Sequence, residues 1–276
     1  MADRLPPPEE ERRGHAVRLA CQVLISAEVR FLPPDPFALA RDLGFHLLSL
    51  SAIAEELQQN PDHYIRHTVG EEAFTLSLGE QKLIIYNDTV RSPERIRFSI
   101  FHEFGHLLLR HFDCWNLARL SPDQARALED EANTFARNFL CPPPILDLVR
   151  GDRADPKLAA LFCMSQRAWS ARLRTMAIDR RYIDQPLADQ LRDQFRPYMF
   201  GRRCRDCGHV FIDEFRQDRC PQCGCRYLSW NPLMESRLQA AAHQHVAGTR
   251  AEDIKPALGA AAPDLTRYWE LLRQEQ

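Results

Sequence analysis

Apolar residues recur along the chain with two periods, one typical of helices and one typical of strands. The helical period is clear over residues 16–29, 92–112 and 122–140. Two shorter apolar runs, 72–78 and 81–86, lie on either side of a turn and predict a β-hairpin. The pattern therefore predicts several long helices and at least one pair of strands.

Turn-forming and capping residues divide the rest of the chain into shorter elements. The elements before the hairpin are a helix at 37–43, a strand at 45–50 and a helix at 52–58. Ser121 is a typical N-cap residue for the long helix that follows it. Residues 155–176 predict two short helices, with Ser165 as the cap of the second.

The composition changes along the chain and indicates five parts. Residues 1–14 are charged and proline-rich, which predicts a mobile leader. A globular domain is expected over 15–178, followed by a helical connector over 179–200. Residues 201–230 are rich in cysteine, arginine and aspartate, and 231–276 predict a helical tail.

Composition and charge exclude several classes of protein. With 45% apolar residues among 276, the chain can bury a core and is not disordered throughout. The net charge of −2 argues against a general nucleic-acid binder. No apolar run reaches the roughly 18 residues of a membrane span, so we expect a soluble cytoplasmic protein without a membrane partner. Nine cysteines in that reducing compartment indicate metal ligands and free thiols rather than disulfides.

The segment His102-Glu-Phe-Gly-His106 carries the clearest chemical signal. On a helix the two histidines lie one turn apart, so both imidazoles can reach one metal ion. Glu103 lies beside that face, where its carboxylate can accept a proton from a water molecule that the metal activates. Zn²⁺ lowers the pKa of such a water to about 7. This HEXXH pattern predicts a catalytic zinc with His102 and His106 as ligands and Glu103 as the general base.

A catalytic zinc usually has three protein ligands and one open position, so a third ligand must come from another element. The helix at 122–140 offers Glu129 and Glu131. These two residues flank its apolar stripe on opposite sides, so the periodicity does not choose between them. His111 lies about 140° around a continuous helix from His106, which favours a structural role near the helix C-terminus over metal binding.

Four cysteines in the cysteine-rich segment have the spacing of a structural zinc site. Cys204 and Cys207 form one pair, and Cys220 and Cys223 form a second pair after twelve intervening residues. Two such pairs close a tetrahedral shell of four thiolates, which predicts a zinc ribbon. Cys225 could replace Cys223, but the two-residue spacing favours Cys223. The charges of the side chains and the zinc site nearly cancel, so a scaffold or protein-docking role is favoured over DNA contact.

Several segments together resemble the ImmA/IrrE family of metallo-endopeptidases. The resemblance rests on the HEXXH motif within 97–111 and on the segment 131–142. Upstream, 34–44 and 83–87 are similar to the family's entry helix and to the strand that precedes its catalytic helix. These motifs occur in the family's order, and the resemblance covers about residues 17–178.

The resemblance implies an α+β fold, in which a small mixed sheet accompanies the HEXXH helix. A zinc ribbon with four cysteine ligands and a helical tail are expected to follow this domain. The resemblance also implies His102, His106 and Glu131 as the ligands of the catalytic zinc and Glu103 as the general base. Members of the family resemble regulatory proteases that cut a helix-turn-helix repressor of a mobile element or a stress response. We therefore expect a zinc endopeptidase with one catalytic and one structural Zn²⁺ and with a transcriptional repressor as its protein substrate.

An alternative function rests on residues 158–173, which have helix-turn-helix spacing and predict exposed side chains for Arg167, Arg172 and Arg174. Residues 150–200 carry ten basic and six acidic side chains, a local charge of +4. The alternative is a DNA-binding or protein-docking regulator in which the peptidase fold is not the main activity. In the resembled family such helices also pack beside the peptidase, so direct nucleic-acid binding is not favoured.

Overall fold

Helices dominate the part of the chain that the structure describes. The structure is a computed structural model, and it describes residues 8–30, 32–56, 72–78, 81–148, 158–159, 162–212, 219–226 and 228–230. The helices are α1 (Glu9–Ser26), α2 (Pro36–Leu43), α3 (Leu50–Glu56), α4 (Pro93–Leu108), α5 (His111–Cys114), α6 (Pro122–Leu140), α7 (Pro143–Leu148), α8 (Gln166–Asp179) and α9 (Gln185–Phe200). The strands are β1 (His46–Ser49), β2 (Ala73–Leu78), β3 (Gln81–Tyr86), β4 (Gly201–Cys204), β5 (Val210–Ile212) and β6 (Leu228–Trp230). Within the described ranges, every helix is too short or too polar to cross a membrane. The helical tail predicted at 231–276 lies outside the described residues.

The first three strands form a small mixed sheet with the order β1-β3-β2. Strand β1 runs parallel to β3, whereas β2 pairs antiparallel with β3 and places Thr75 opposite Ile84. The predicted hairpin is therefore confirmed, and β2 lies at the edge of this sheet. The combination of long helices and one small mixed sheet confirms the predicted α+β fold.

Side-chain caps explain where helices α4 and α6 begin. The hydroxyl of Ser92 accepts a hydrogen bond from the backbone N–H of Arg95 in the first turn of α4. At the start of α6, Ser121 and Gln124 form a reciprocal capping box, in agreement with the predicted cap. Both helices therefore begin at positions that the sequence itself marks.

Helix α4 ends at Leu108, four residues before the predicted end at 112. The helix stops because Arg110 adopts a left-handed backbone conformation with a φ of +60°. His111 consequently begins the separate short helix α5, which turns back toward α4. The angular position of His111 that a continuous helix predicts is therefore wrong.

Helices α4 and α6 approach each other most closely at Gly105. A Cβ atom at this position would lie 3.0 Å from the Cα of Ala132 and 3.2 Å from the Cβ of Phe135. Because glycine has no side chain, the two backbones can come this close. The approach places the histidine-bearing part of α4 beside the first half of α6.

Helix α1 begins at Glu9, so residues 9–14, predicted to belong to a mobile leader, are helical. The apolar face of α1 is buried in the core. Its charged residues Arg12 and Arg13 form ion pairs with Glu131 and Asp179. Two of the charges that suggested a solvated leader are therefore paired with acidic residues of the domain, whereas the acidic residues at 9–11 are exposed.

Helix α9 extends the same core rather than linking two units. Leu191 and Phe195 are fully buried in the cluster that also contains the apolar face of α1. The side-chain amide of Gln194 donates hydrogen bonds to the backbone carbonyls of Leu24 and Val29. The segment predicted as a connector is therefore part of the packed domain.

Helix α8 confirms one prediction for the helix-turn-helix segment and contradicts another. Ser165 caps it, because its hydroxyl accepts a hydrogen bond from the backbone N–H of Ala168. Arg172, predicted to be exposed, is only 1% exposed and donates to Asp179 at 2.5 Å and to Asn138 at 2.7 Å. An apolar spacing pattern cannot reveal this burial, since two of the partners of Arg172, Asn138 and the backbone carbonyl of Cys141, lie at the end of helix α6 and just after it.

The last three strands form a second, antiparallel sheet with the order β5-β4-β6. Strand β4 follows helix α9 directly. Gly208 and Gly224 come immediately after the two cysteine pairs, and both have a φ of +73°. Glycine adopts this left-handed conformation without strain, which allows each cysteine pair to sit on a tight turn.

Candidate active site

Three side chains from helices α4 and α6 converge on one point. The Nε2 atoms of His102 and His106 lie 3.0 Å apart. The two carboxylate oxygens of Glu129 lie 3.1 Å from Nε2 of His102 and 3.4 Å from Nε2 of His106. The helical spacing of the histidines therefore produces the shared face that the sequence predicts.

The spacing of these three groups fits a single zinc ion. Zinc–nitrogen and zinc–oxygen bonds of about 2.0–2.1 Å in a tetrahedron place neighbouring ligand atoms about 3.3 Å apart. The observed separations between 3.0 and 3.4 Å match that value. Two imidazole nitrogens and a carboxylate are also a donor set that zinc accepts in hydrolytic enzymes. His102, His106 and Glu129 are therefore the candidate ligands.

The structure does not bring Glu131, the third ligand that the resemblance implies, to this point. One carboxylate oxygen of Glu131 lies 3.2 Å from Nη1 of Arg12, and the other lies 3.4 Å from Nε2 of His111. Burial opposes ionisation of Glu131, but the hydrogen bonds from His111 and Arg12 lower its pKa overall. The candidate third ligand is therefore corrected from Glu131 to Glu129.

The helical geometry of α6 explains why two acidic residues so close in sequence have different neighbours. Residues four positions apart share a helix face, so Glu129 lies with Asn133. The side-chain oxygen of Asn133 accepts a hydrogen bond from Nδ1 of His102 at 3.2 Å. Glu131 lies on the face toward α1, where Arg12 also donates to the carbonyl of Ala127. The polar residue one turn after Glu129 is the sequence signal that favours it over Glu131.

The charges of the site favour an ionised carboxylate between the two imidazoles. Hydrogen bonds from His102 and His106 hold the pKa of Glu129 well below its ordinary value. Burial alone would lower the pKa of His102, but its hydrogen bond to Glu129 and the charge of Glu103 raise that pKa overall. Burial is the main reason that the pKa of His106 is lowered. Glu129 is therefore an anionic donor beside two nitrogen donors.

Glu103 lies next to this cluster without belonging to it. Its side chain is nearly buried, at 9% exposure, and the hydroxyl of Thr75 on strand β2 donates to its Oε2 at 2.6 Å. The hydroxyl therefore holds one oxygen of the carboxylate and orients the group. Sequence reasoning did not find Thr75, because its contact with Glu103 depends on how β2 packs against α4.

A cleft of about 510 Å³ opens in front of the cluster. Both strand β2 and helix α4 contribute to its walls, and the apolar residues of the lining include Phe98, Phe112, Leu117 and Leu120. The three candidate ligands and Glu103 all lie on its surface. The cleft therefore combines apolar walls with a small polar centre.

The four predicted ribbon cysteines also converge. Their Sγ atoms lie within 4.8 Å of one another, with 3.5 Å between Cys204 and Cys223 and 3.7 Å between Cys207 and Cys220. Zinc–sulfur bonds of about 2.3 Å in a tetrahedron place the sulfurs about 3.8 Å apart, so the cluster fits one zinc ion. Cys225 contributes its backbone carbonyl, which accepts a hydrogen bond from the N–H of Cys220 at 2.8 Å.

The backbone around the cysteine cluster favours a thiolate. A hydrogen bond from the backbone N–H of Cys207 is the main reason that the pKa of Cys204 falls to about 7. Thiolates, not thiols, bind zinc. Cys204 is fully buried, whereas Cys207 and Cys223 are exposed at the surface of the ribbon. Within the described residues, this cluster and the His102–His106–Glu129 cluster are the two groups that could hold a metal ion.

Comparison with known proteins gives one match. The family model Peptidase_M78, described as the IrrE N-terminal-like domain, matches residues 48–189. No curated protein and no solved structure matches the chain. The matched segment spans slightly more than half of the 276 residues and contains the candidate ligands, Glu103 and the cleft, whereas α1 and the ribbon lie outside it. The match confirms the resemblance and supports a metallopeptidase-type function, and the chain belongs to the Peptidase_M78 family.

Proposed function

We propose that the protein is a zinc-dependent endopeptidase that hydrolyses a peptide bond in a protein substrate, a helix-turn-helix transcriptional repressor. The observation that carries the proposal is the convergence of His102, His106 and Glu129 beside Glu103 in one open cleft. The family match supports a peptidase, and three ligands with an open side are typical of catalytic rather than structural zinc sites. The repressor as substrate rests on the resemblance to the ImmA/IrrE family.

Each residue of the proposed site has a distinct task. His102, His106 and Glu129 would hold the zinc ion. Zinc, when bound, supplies a Lewis acid that polarises a carbonyl and lowers the pKa of water to about 7. The Glu103 carboxylate accepts a proton from the attacking water and donates it to the leaving amine, while the Thr75 hydroxyl holds Oε2. A carboxylate fixed in this way needs little reorganisation when the proton moves.

The position of strand β2 supports a peptide as the substrate. Strand β2 is at the edge of its sheet and lines the same cleft as Glu103. An extended peptide can pair with the backbone of such an edge strand. That pairing would place a scissile bond along the row of residues that includes Thr75. An internal peptide segment fits a cleft with this open shape, which favours an endopeptidase.

The second zinc is proposed to be structural. Cys204, Cys207, Cys220 and Cys223 would hold it in a closed shell of four thiolates, without a free position for substrate. The burial of Arg172 removes one of three arginines that favoured DNA contact by α8. Direct nucleic-acid binding by α8 is therefore less well supported. For the ribbon, the near cancellation of its charges favours a protein-docking or scaffold role.

The test replaces Glu103 by glutamine, which keeps the size of the side chain and removes its basicity. We expect Glu103→Gln to lower the cleavage rate by about a hundredfold or more while zinc remains bound. The substrate to try is a helix-turn-helix protein of the same genome, first any that is encoded beside this gene, incubated with the purified chain and followed by mass spectrometry of the fragments. Glu55→Gln, at an exposed position on α3, is the matched control and should cleave normally. Cleavage that survives in Glu103→Gln would contradict the assigned base.

A further inference from the structure

We infer that Arg12, Glu131 and His111 form a positioning relay that holds the candidate ligand His106 and thereby sets the metal affinity of the site from helix α1. The inference rests on the proposed metal centre. It assigns a task to Glu131, which is not a candidate ligand, and to His111, which the catalytic chemistry does not use. It also gives α1 a part in the active site.

A continuous row of contacts connects α1 to the site. Nδ1 of His106 lies 2.9 Å from Nδ1 of His111. Nε2 of His111 lies 3.4 Å from Oε2 of Glu131, and Oε1 of Glu131 accepts a hydrogen bond from Nη1 of Arg12 at 3.2 Å. His111 is 1% exposed, and the side chains of Glu131 and Arg12 are 12% and 13% exposed. Burial limits exchange of these contacts with water, so they can hold a geometry.

The donor and acceptor rules of imidazole give this row a single direction. A neutral histidine carries one ring proton, so His106 that offers Nε2 to a metal must carry its proton on Nδ1. That N–H donates to Nδ1 of His111, which places the proton of His111 on Nε2. The Nε2–H of His111 then donates to the carboxylate of Glu131, which Arg12 holds on its other side. Each contact matches the tautomer of the next ring. The row therefore stabilises the His106 tautomer whose Nε2 can bind a metal.

The two candidate histidine ligands are supported differently. His102 donates its Nδ1–H to Asn133, a single contact within the α4–α6 pair. His106 is supported through three further side chains, the last of which, Arg12, lies on α1. Hydrogen bonds to the outer nitrogen of a metal-binding histidine orient the ring and raise its affinity for the metal. The support of His106 therefore depends on an element outside the segment that the family model matches, residues 48–189.

Helix α1 is fixed independently of this relay. The neighbouring residue Arg13 donates to the fully buried Asp179 at 2.8 Å, and the apolar face of α1 packs in the core. Removal of the Arg12 side chain should therefore leave α1 in place. The relay can be cut at Arg12 without unfolding the domain.

The test measures the zinc dissociation constant of the His102–His106 site in the full chain by competition with a chelator. Glu131→Ala and His111→Phe should each weaken zinc binding by about 10–100-fold. Arg12→Ala, which acts through an ion pair that is partly exposed, should weaken it by about 2–5-fold. Arg12→Lys should restore part of the affinity, and Arg18→Ala, an exposed arginine of the same helix, should leave it unchanged.

The same variants separate a positioning role from a catalytic one. At saturating zinc the cleavage rate of Glu131→Ala should approach that of the wild type, because the ligands themselves are intact. Zinc constants within twofold of the wild type in both Glu131→Ala and His111→Phe would overturn the relay while leaving the proposed function in place. If the wild type binds a single zinc ion and Glu129→Ala still binds it, the proposed function and the relay are both overturned.

Discussion

The two candidate metal clusters are built in opposite ways. The ribbon cluster takes its four cysteines from two tight turns, each with a glycine at a φ of +73°. The peptidase cluster takes its ligands from two long helices that meet because Gly105 lets their backbones approach. Local turn geometry therefore sets the first cluster, and tertiary packing sets the second.

The clusters also differ in what else stabilises the structure around them. The peptidase ligands lie on helices whose apolar faces belong to a large core of buried aromatic and aliphatic residues. The ribbon consists of three short strands, of which Val210 is among the exposed large hydrophobic residues. A unit of that size has no core large enough to fold by itself. The ribbon should depend on its metal for its fold, and the peptidase should not.

Removal of zinc gives the largest expected contrast. A strong chelator should unfold the ribbon strands, because zinc binding in such sites contributes about 10–16 kcal/mol of folding free energy. Helices α1, α6 and α9 should remain protected in backbone amide exchange, measured by mass spectrometry, because the apolar core that holds them does not depend on the metal. Protection that persists in β4 and β5 after zinc removal would contradict the expectation that the ribbon depends on its metal for its fold.

Two neighbouring cysteines provide the matched pair for this experiment. Cys223→Ser should release the ribbon zinc, whereas Cys225→Ser should retain it, since the Cys225 thiol is not a member of the four-sulfur cluster and its backbone carbonyl serves the turn. Zinc lost from Cys225→Ser and kept in Cys223→Ser would reverse the assignment of the fourth thiolate.

The buried ion pair of the peptidase core gives the next largest effect. Burial alone would raise the pKa of Asp179, but the charges of Arg137 and Arg172 outweigh it and hold that pKa below its ordinary value of 3.8. A lowered pKa contributes stability that is present above the ordinary value and is lost as the pH falls through the folded-state value. Asp179→Asn should therefore lower the free energy of unfolding by about 3–5 kcal/mol near pH 7.

The measurement is urea unfolding at pH 7 and again below pH 4. The difference between the wild type and Asp179→Asn should shrink at the lower pH, where the wild-type carboxyl begins to bind its proton. Asp42→Asn, at an exposed position on α2, should change the free energy by no more than about 0.5 kcal/mol at either pH. A difference that stays constant with pH would show that the charge of Asp179 does not contribute.

The same difference between local spacing and tertiary packing explains which parts of the fold and of the two clusters can be predicted from the sequence. The pairs His102–His106 and Cys204–Cys207 are fixed by spacing on one element, and the structure brings each pair together as predicted. The hairpin follows from the hydrophobic periods in the same way, whereas the α+β class was implied by the family resemblance.

Apart from Asn133, one turn after Glu129, the sequence pattern does not choose between Glu129 and Glu131, because both residues flank the same apolar stripe. Their different neighbours depend on α1, whose first turns were predicted to be mobile, and on the left-handed conformation of Arg110 that redirects His111. The burial of Arg172 likewise depends on two partners that are distant in sequence, Asn138 and the backbone carbonyl of Cys141. Contacts across the fold, rather than local pattern, decide these positions.

The most direct test of the proposed metal centre is the zinc content of Glu129→Ala and Glu131→Ala. Each variant is equilibrated with excess zinc, the unbound ion is removed, and the bound zinc is counted by elemental mass spectrometry. The wild type should contain about two zinc ions per chain, one in each cluster. Glu129→Ala should retain about one, held by the ribbon. Glu131→Ala should retain about two because it keeps all three candidate ligands, provided that free zinc is buffered above the weakened dissociation constant that the relay predicts for this variant. One zinc in Glu131→Ala and two in Glu129→Ala would contradict the assignment and restore Glu131 as the third ligand.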